Sequence, residues 1–178
     1  MDILEYLAKY TIPFKGLKDG MHEFDFSIDE EFFKQFQTEE VYQGEAKIKV
    51  SFNKKSLVTT LSFELEGKLN VACDRCLDPM EINVKGENSL FVKFGEEHEE
   101  LAEDVIVISD SENEIPISQY IYELFTLNLP LSFIHPDDEN GESTCNKEMI
   151  QKLNDFSVNE DEKIDPRWND LRKLIDNN

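Results

Sequence analysis

The chain has 178 residues with 18 basic and 39 acidic side chains, a net charge of −21. Hydrophobic residues make up 39% and include thirteen Phe, which is enough apolar surface for a core and excludes wholesale disorder. The acid surplus excludes nucleic acid held on a broad basic face, because such a surface repels phosphates, and it favours a basic protein partner.

No apolar run reaches the roughly 18–20 residues of a membrane span. Asp2 and Glu5 stand where a secretory signal carries basic charge. The expectation is a cytoplasmic chain with no membrane partner. In such a reducing compartment its three Cys serve as thiols or metal ligands.

Residues 21–28 alternate, with Phe24, Phe26 and Ile28 on one face and Glu23, Asp25 and Ser27 on the other. That is the pattern of a half-buried strand. Asp29 then caps a short helix in which Phe32, Phe33 and Phe36 fall at helical spacing. Further on, Ala46, Ile48, Val50 and Phe52 share one parity against Glu45, Lys47, Lys49 and Ser51. A polar turn follows at residues 53–56. Leu57, Thr59, Leu61, Phe63 and Leu65 then oppose Thr60, Ser62, Glu64 and Glu66, and Leu69, Val71 and Cys73 keep the inward parity. The two runs predict a long antiparallel hairpin with one wet face.

A third run follows the turn at residues 73–80. Met80, Ile82 and Val84 face Glu81, Asn83 and Lys85, and Leu90, Val92 and Phe94 follow Gly86. Residues 105–108 predict a short apolar strand, and residues 115–118 open the main helix. Its stripe is Ile117, Ile121, Leu124, Phe125 and Asn128, with Leu127 nearby and Pro130 ending the run. Residues 132–164 are acidic with little periodicity. A last amphipathic piece holds Trp168, Leu171, Leu174 and Ile175.

The order predicts α+β, an antiparallel β-sheet of long hairpins with one main helix after the sheet. A short helix lies near the N-terminus, and the C-terminal region is acidic and irregular. Residues 1–131 would form one domain, with 132–178 packed on it or tethered to it. The charge is uneven, since residues 96–162 carry 19 acidic and 2 basic groups. The two dense runs, at 96–100 and 137–139, are either solvated loops or a docking face for a cationic partner.

Cys73-Asp74-Arg75-Cys76 is the main candidate for chemistry. Two thiolates three positions apart around a tight turn can reach one tetrahedral metal. His135 and Cys145 are the remaining donors, and the four would make a closed Cys3His structural Zn2+ site. The other reading has Cys73 packed at a strand end and Cys145 incidental. Thiol redox catalysis needs such a pair at a helix N-terminus. Here a strand precedes it and Pro79 opposes a helix beyond. There is no P-loop, GxGxxG or GxSxG. The chain reads as no enzyme, with no small-molecule substrate. The clustered basic residues are Lys47, Lys49, Lys54 and Lys55 on the hairpin, Arg75 at the turn, and Arg167, Arg172 and Lys173 at the end. The hairpin lysines and Arg75 are either solvated or make a local RNA or partner contact.

Several pieces together resemble the YceD family, the bacterial large ribosomal RNA subunit accumulation proteins. They are Cys73-Asp74-Arg75-Cys76-Leu77 after a long hairpin, Ile115-Pro116-Ile117 leading to Tyr122-Glu123-Leu124 and Leu129-Pro130, then His135 and Cys145, and finally Asp165-Pro166-Arg167-Trp168-Asn169-Asp170-Leu171. The opening, Pro13-Phe14-Lys15-Gly16-Leu17-Lys18-Asp19-Gly20, is similar to the Bacteroidetes-type version. The resemblance implies a non-enzymatic role in the synthesis, processing or stability of 23S ribosomal RNA. The expected partner is a basic large-subunit ribosomal protein, the 23S precursor, or both. The alternatives are direct RNA binding through the hairpin lysines and the CxxC turn, and a zinc- or thiol-dependent redox protein.

Overall fold

Alternation at residues 43–54 and 59–72 sets the architecture, because a strand with one apolar parity must bury that face. The computed structural model describes residues 3–36, 42–55, 58–95, 99–102, 104–109 and 111–157. In chain order the elements are α1 (Ile3–Leu7), β1 (Thr11–Pro13), β2 (Gly20–Ile28), α2 (Glu30–Lys34), β3 (Gln43–Lys54), β4 (Thr59–Ala72), β5 (Pro79–Gly95), β6 (Glu99–Ala102), β7 (Val105–Ser109), β8 (Glu114–Pro116), α3 (Ser118–Leu127) and α4 (Lys147–Phe156). The fold is α+β. The amphipathic piece at residues 168–175, Arg167, Arg172, Lys173 and the acids at 96–98 lie outside the described residues. Among those described, no helix is long and apolar enough to cross a membrane.

The chain divides into two compact units, Met1–Cys73 with Pro79–Phe133, and Asp74–Asp78 with Ile134–Asn178. The first holds a six-stranded sheet in the order β2-β3-β4-β5-β7-β6, and β1 pairs with β8. Ile48 lies opposite Leu65 and Val50 opposite Phe63, so the apolar parities of β3 and β4 share a face. Phe32 and Phe33 of α2 and Ile121, Leu124 and Phe125 of α3 are buried in the same core. Phe33 and Phe125 meet with ring centroids 4.6 Å apart. Asp29 caps α2 by accepting from the Phe32 N–H at 3.1 Å. Burial, with Tyr6 and Asp29 alongside, pushes the Tyr10 hydroxyl well above its ordinary range, and it donates to the Ser27 carbonyl at 3.0 Å.

Several elements differ from the sequence expectation. The sheet is mixed, because β7 inserts between β5 and β6 and runs parallel to β5. Residues 114–116 form β8, so α3 begins only at Ser118, with Ile117 at its N-cap position. The segment expected to be irregular contains α4, capped by Asn146.

A candidate metal centre

The outer face of the sheet carries two of the candidate basic residues, Lys47 and Lys49. Its register sets Asp25, Lys49, Glu64 and Glu87 in one row and Ser27, Lys47, Glu66 and Lys85 in the next. Lys49 pairs with Glu23 at 2.8 Å, and Lys85 pairs with Glu66 at 2.6 Å. Lys85 first of all holds the Glu66 carboxyl below the usual carboxylate range, and Glu23 raises Lys49. Lys54 takes the other parity and donates to the Phe14 and Leu17 carbonyls at 3.1 and 2.8 Å. Lys55 is exposed just past the end of β3, and Arg75 is exposed in the turn between β4 and β5. The structure therefore brings Lys47 and Lys49 together and separates them from Lys54.

β4 and β5 are long, and the six residues between them make a tight turn. Cys73, its first residue, and Cys76, its fourth, are buried while Asp74 and Arg75 are exposed. Leu77 completes the turn with φ +63, the left-handed region that a β-carbon disfavours. This conformation lets the chain double back immediately after Cys76.

The other two donors sit either side of an acidic loop that closes on itself. Asp138 accepts from the Asn140 and Glu142 N–H groups at 2.8 and 2.9 Å. Those backbone donors, Glu142 first, hold its carboxyl below the usual range. The Asp138 N–H donates to the Glu142 carbonyl at 2.8 Å, and Gly141 supplies the positive φ of +80. Thr144 Oγ1 donates to the Pro136 carbonyl at 2.6 Å, and Asp137 bridges to Ser143. Closing the loop draws Cys145 back to His135, with Cys145 Sγ 3.9 Å from His135 Nδ1. Cys76 Sγ lies 3.5 Å from the same nitrogen.

All four donor atoms, from Cys73, Cys76, His135 and Cys145, lie within 4.8 Å of one another. With Zn–S bonds of about 2.3 Å and Zn–N of about 2.1 Å, a tetrahedron separates its donors by roughly 3.6–3.8 Å. The two sulfur–nitrogen distances, 3.5 and 3.9 Å, bracket that edge. The cysteines are 0%, 1% and 4% exposed for Cys73, Cys76 and Cys145, and no disulfide is present among the described residues. Buried thiolates need a nearby cation, so donor type, spacing and burial fit a closed structural metal site. The cluster could hold a metal ion.

Two supporting residues carried no sequence signal of this role. Asp138 read as one more acid in a charged run, and Leu77 lacks the glycine or asparagine that marks a left-handed position. Asn146 was more visible, as an Asn just before a short apolar-periodic stretch. Its Oδ1 accepts from the Glu148 and Met149 N–H groups, and its Nδ2 donates to Asp78 Oδ2 at 3.1 Å. This ties the start of α4 to the CxxC turn.

A family model described as large ribosomal RNA subunit accumulation protein YceD matches residues 61–175. The match runs from β4 through the turn, α3, the acidic loop and α4, and contains all four donors. No curated protein and no solved structure matches the chain. That family is described by the accumulation of an RNA and not by a reaction. On a match over well more than half of its length, the chain belongs to the YceD family of large ribosomal RNA subunit accumulation proteins.

Proposed function

We propose that this chain is a non-enzymatic, cytoplasmic factor for 23S ribosomal RNA that works by engaging a basic large-subunit ribosomal protein. The observation that supports this reading is the charge distribution, with 19 acidic against 2 basic groups in residues 96–162. Negative potential of that density steers and holds a cationic protein, and it repels phosphate. The hairpin lysines offer RNA little compensation. Glu23 already engages Lys49, and two carbonyls hold Lys54. Engaged in this way, a basic subunit protein is shielded until RNA, the denser polyanion, displaces it. Cys73, Cys76, His135 and Cys145 would hold a structural Zn2+ that supplies no reaction and fixes the turn and the acidic loop. A redox role is disfavoured, because the CxxC joins two strands and does not itself open a helix.

The test is a titration of the purified full chain against purified basic large-subunit proteins and against naked 23S RNA, at about 0.15 M salt. Tight, salt-sensitive binding of a subunit protein that survives nuclease supports the reading. Tight binding of naked RNA, weakened by charge reversal at Lys47, Lys49, Lys55 and Arg75, would replace it with direct RNA recognition.

A further inference from the structure

Met149, Ile150, Leu153 and Phe156 recur at i, i+1, i+4 and i+7 along α4, a single apolar stripe. No residue of this helix is buried. Leu153 is 49% exposed and Phe156 86% exposed. A ten-residue helix is marginal in water without a covered apolar face. In the same unit Leu77 is 67% exposed in its left-handed turn. It is the chain neighbour of Asp78, to which the α4 cap is bonded. The frame around these apolar groups is negative. Residues 74–78 and 134–157 together carry eight acidic and three basic side chains.

From this juxtaposition we infer that the α4 stripe, with Leu77 near its start, is the docking surface for a basic amphipathic segment of the ribosomal-protein partner. The inference rests on the function proposed above and assigns it a site. An apolar stripe with an acidic border fits a segment that has its own apolar stripe with a cationic border. RNA and anionic lipid bring the wrong charge, and a second copy of this chain would set acid against acid.

The experiment uses the purified full chain and two labelled synthetic peptides of equal charge. One is helical, with Lys and a Leu stripe, and the other has each Leu replaced by Ser. By fluorescence anisotropy the Lys/Leu peptide is expected to bind at least about tenfold tighter than the Lys/Ser peptide. Leu153→Asp with Phe156→Asp should remove that advantage, while the added negative charge leaves Lys/Ser binding no weaker. Phe156→Leu should retain most of it. Equal binding of the two peptides, insensitive to the Asp variants, overturns the docking surface alone. Binding of neither peptide overturns the charge-based function as well. Self-association abolished by Phe156→Asp would assign the stripe to a second copy. Tighter peptide binding after Trp168→Asp with Leu171→Asp would assign it to the chain's own C-terminal segment. Either result overturns the inference.

Discussion

Gly86 and Asn128 share one space. Gly86 stands on the inward parity of β5, opposite the buried Leu65. A β-carbon there would fall 2.4 Å from Asn128 Nδ2 at the end of α3. Asn128 is fixed in place because that nitrogen donates to the Leu124 carbonyl at 2.7 Å. Gly86→Ala should therefore lower stability by about 1–3 kcal/mol, and Asn128→Ala in the same chain should restore part of the loss. Gly67 offers the contrast, since its β-carbon would meet the Glu45 carbonyl at 2.5 Å. No side-chain substitution relieves that contact, so Gly67→Ala should stay destabilised in any double variant. Denaturant unfolding of these variants measures both outcomes.

Thr59 begins β4 fully buried, and its hydroxyl has no hydrogen-bond partner among the described residues. Folding strips that oxygen of water and returns nothing, whereas a methyl group of similar shape loses nothing. Thr59→Val should stabilise the first unit by about 1 kcal/mol, read as a rise in denaturation midpoint with unchanged slope. A loss of stability would mean that the hydroxyl is bonded.

The long strands were legible because burial of one face forces a period of two, and that period survives over a dozen residues in β3 and β4. The Asp29 cap was legible because its signal is local. β1 and β8 have three residues each, too few to show a period. The parallel pairing of β5 with β7 is a choice between distant partners, which local pattern does not encode. In α4 the stripe is present but unburied, so acid density masked it. The four donors could be named by type, yet what joins His135 to Cys145 is the backbone hydrogen bonding of Asp138, which is invisible in a charged run.

That role makes Asp138 sensitive to pH. Its folded pKa lies below the ordinary carboxylate value, so its contribution is fully present above that value. The contribution is lost as pH falls through the depressed one. Glu66, lowered by Lys85, has the same sign. Stability should therefore decline on the acid side below about pH 4. Asp138→Asn keeps an oxygen acceptor and should flatten part of the decline, while Asp138→Ala should lose loop order at every pH. Amide exchange of Asn140 and Glu142, the two bonded N–H groups, provides the measurement.

Asn146 does two jobs that substitution can separate. Asn146→Ala removes the cap of α4 and the bond to Asp78, and should cost about 1 kcal/mol or somewhat more. Asn146→Asp keeps an oxygen for the Glu148 and Met149 N–H groups but sets a second carboxylate against Asp78. The Asp variant should preserve α4 helicity and loosen the turn. If Ala and Asp behave alike by amide exchange in α4, the link to Asp78 carries the energy and the cap does not.

Metal removal should loosen the acidic loop and spare the sheet. Metal analysis of the purified chain is expected to give about one zinc per molecule, because the set is complete and closed. Cys76→Ser and His135→Ala should each abolish stoichiometric binding, and His135→Cys should keep it. Asp138→Ala should weaken affinity by roughly 10–100-fold, since Asp138 orients the loop that carries two donors without touching the ion. Chelation should speed proteolysis within residues 134–157 and leave the six-stranded sheet protected, because the sheet buries its own core. A chain that purifies without metal, resists reconstitution with Zn2+ and shows no change in loop proteolysis on Cys76→Ser would reduce the cluster to buried thiols packed beside a histidine.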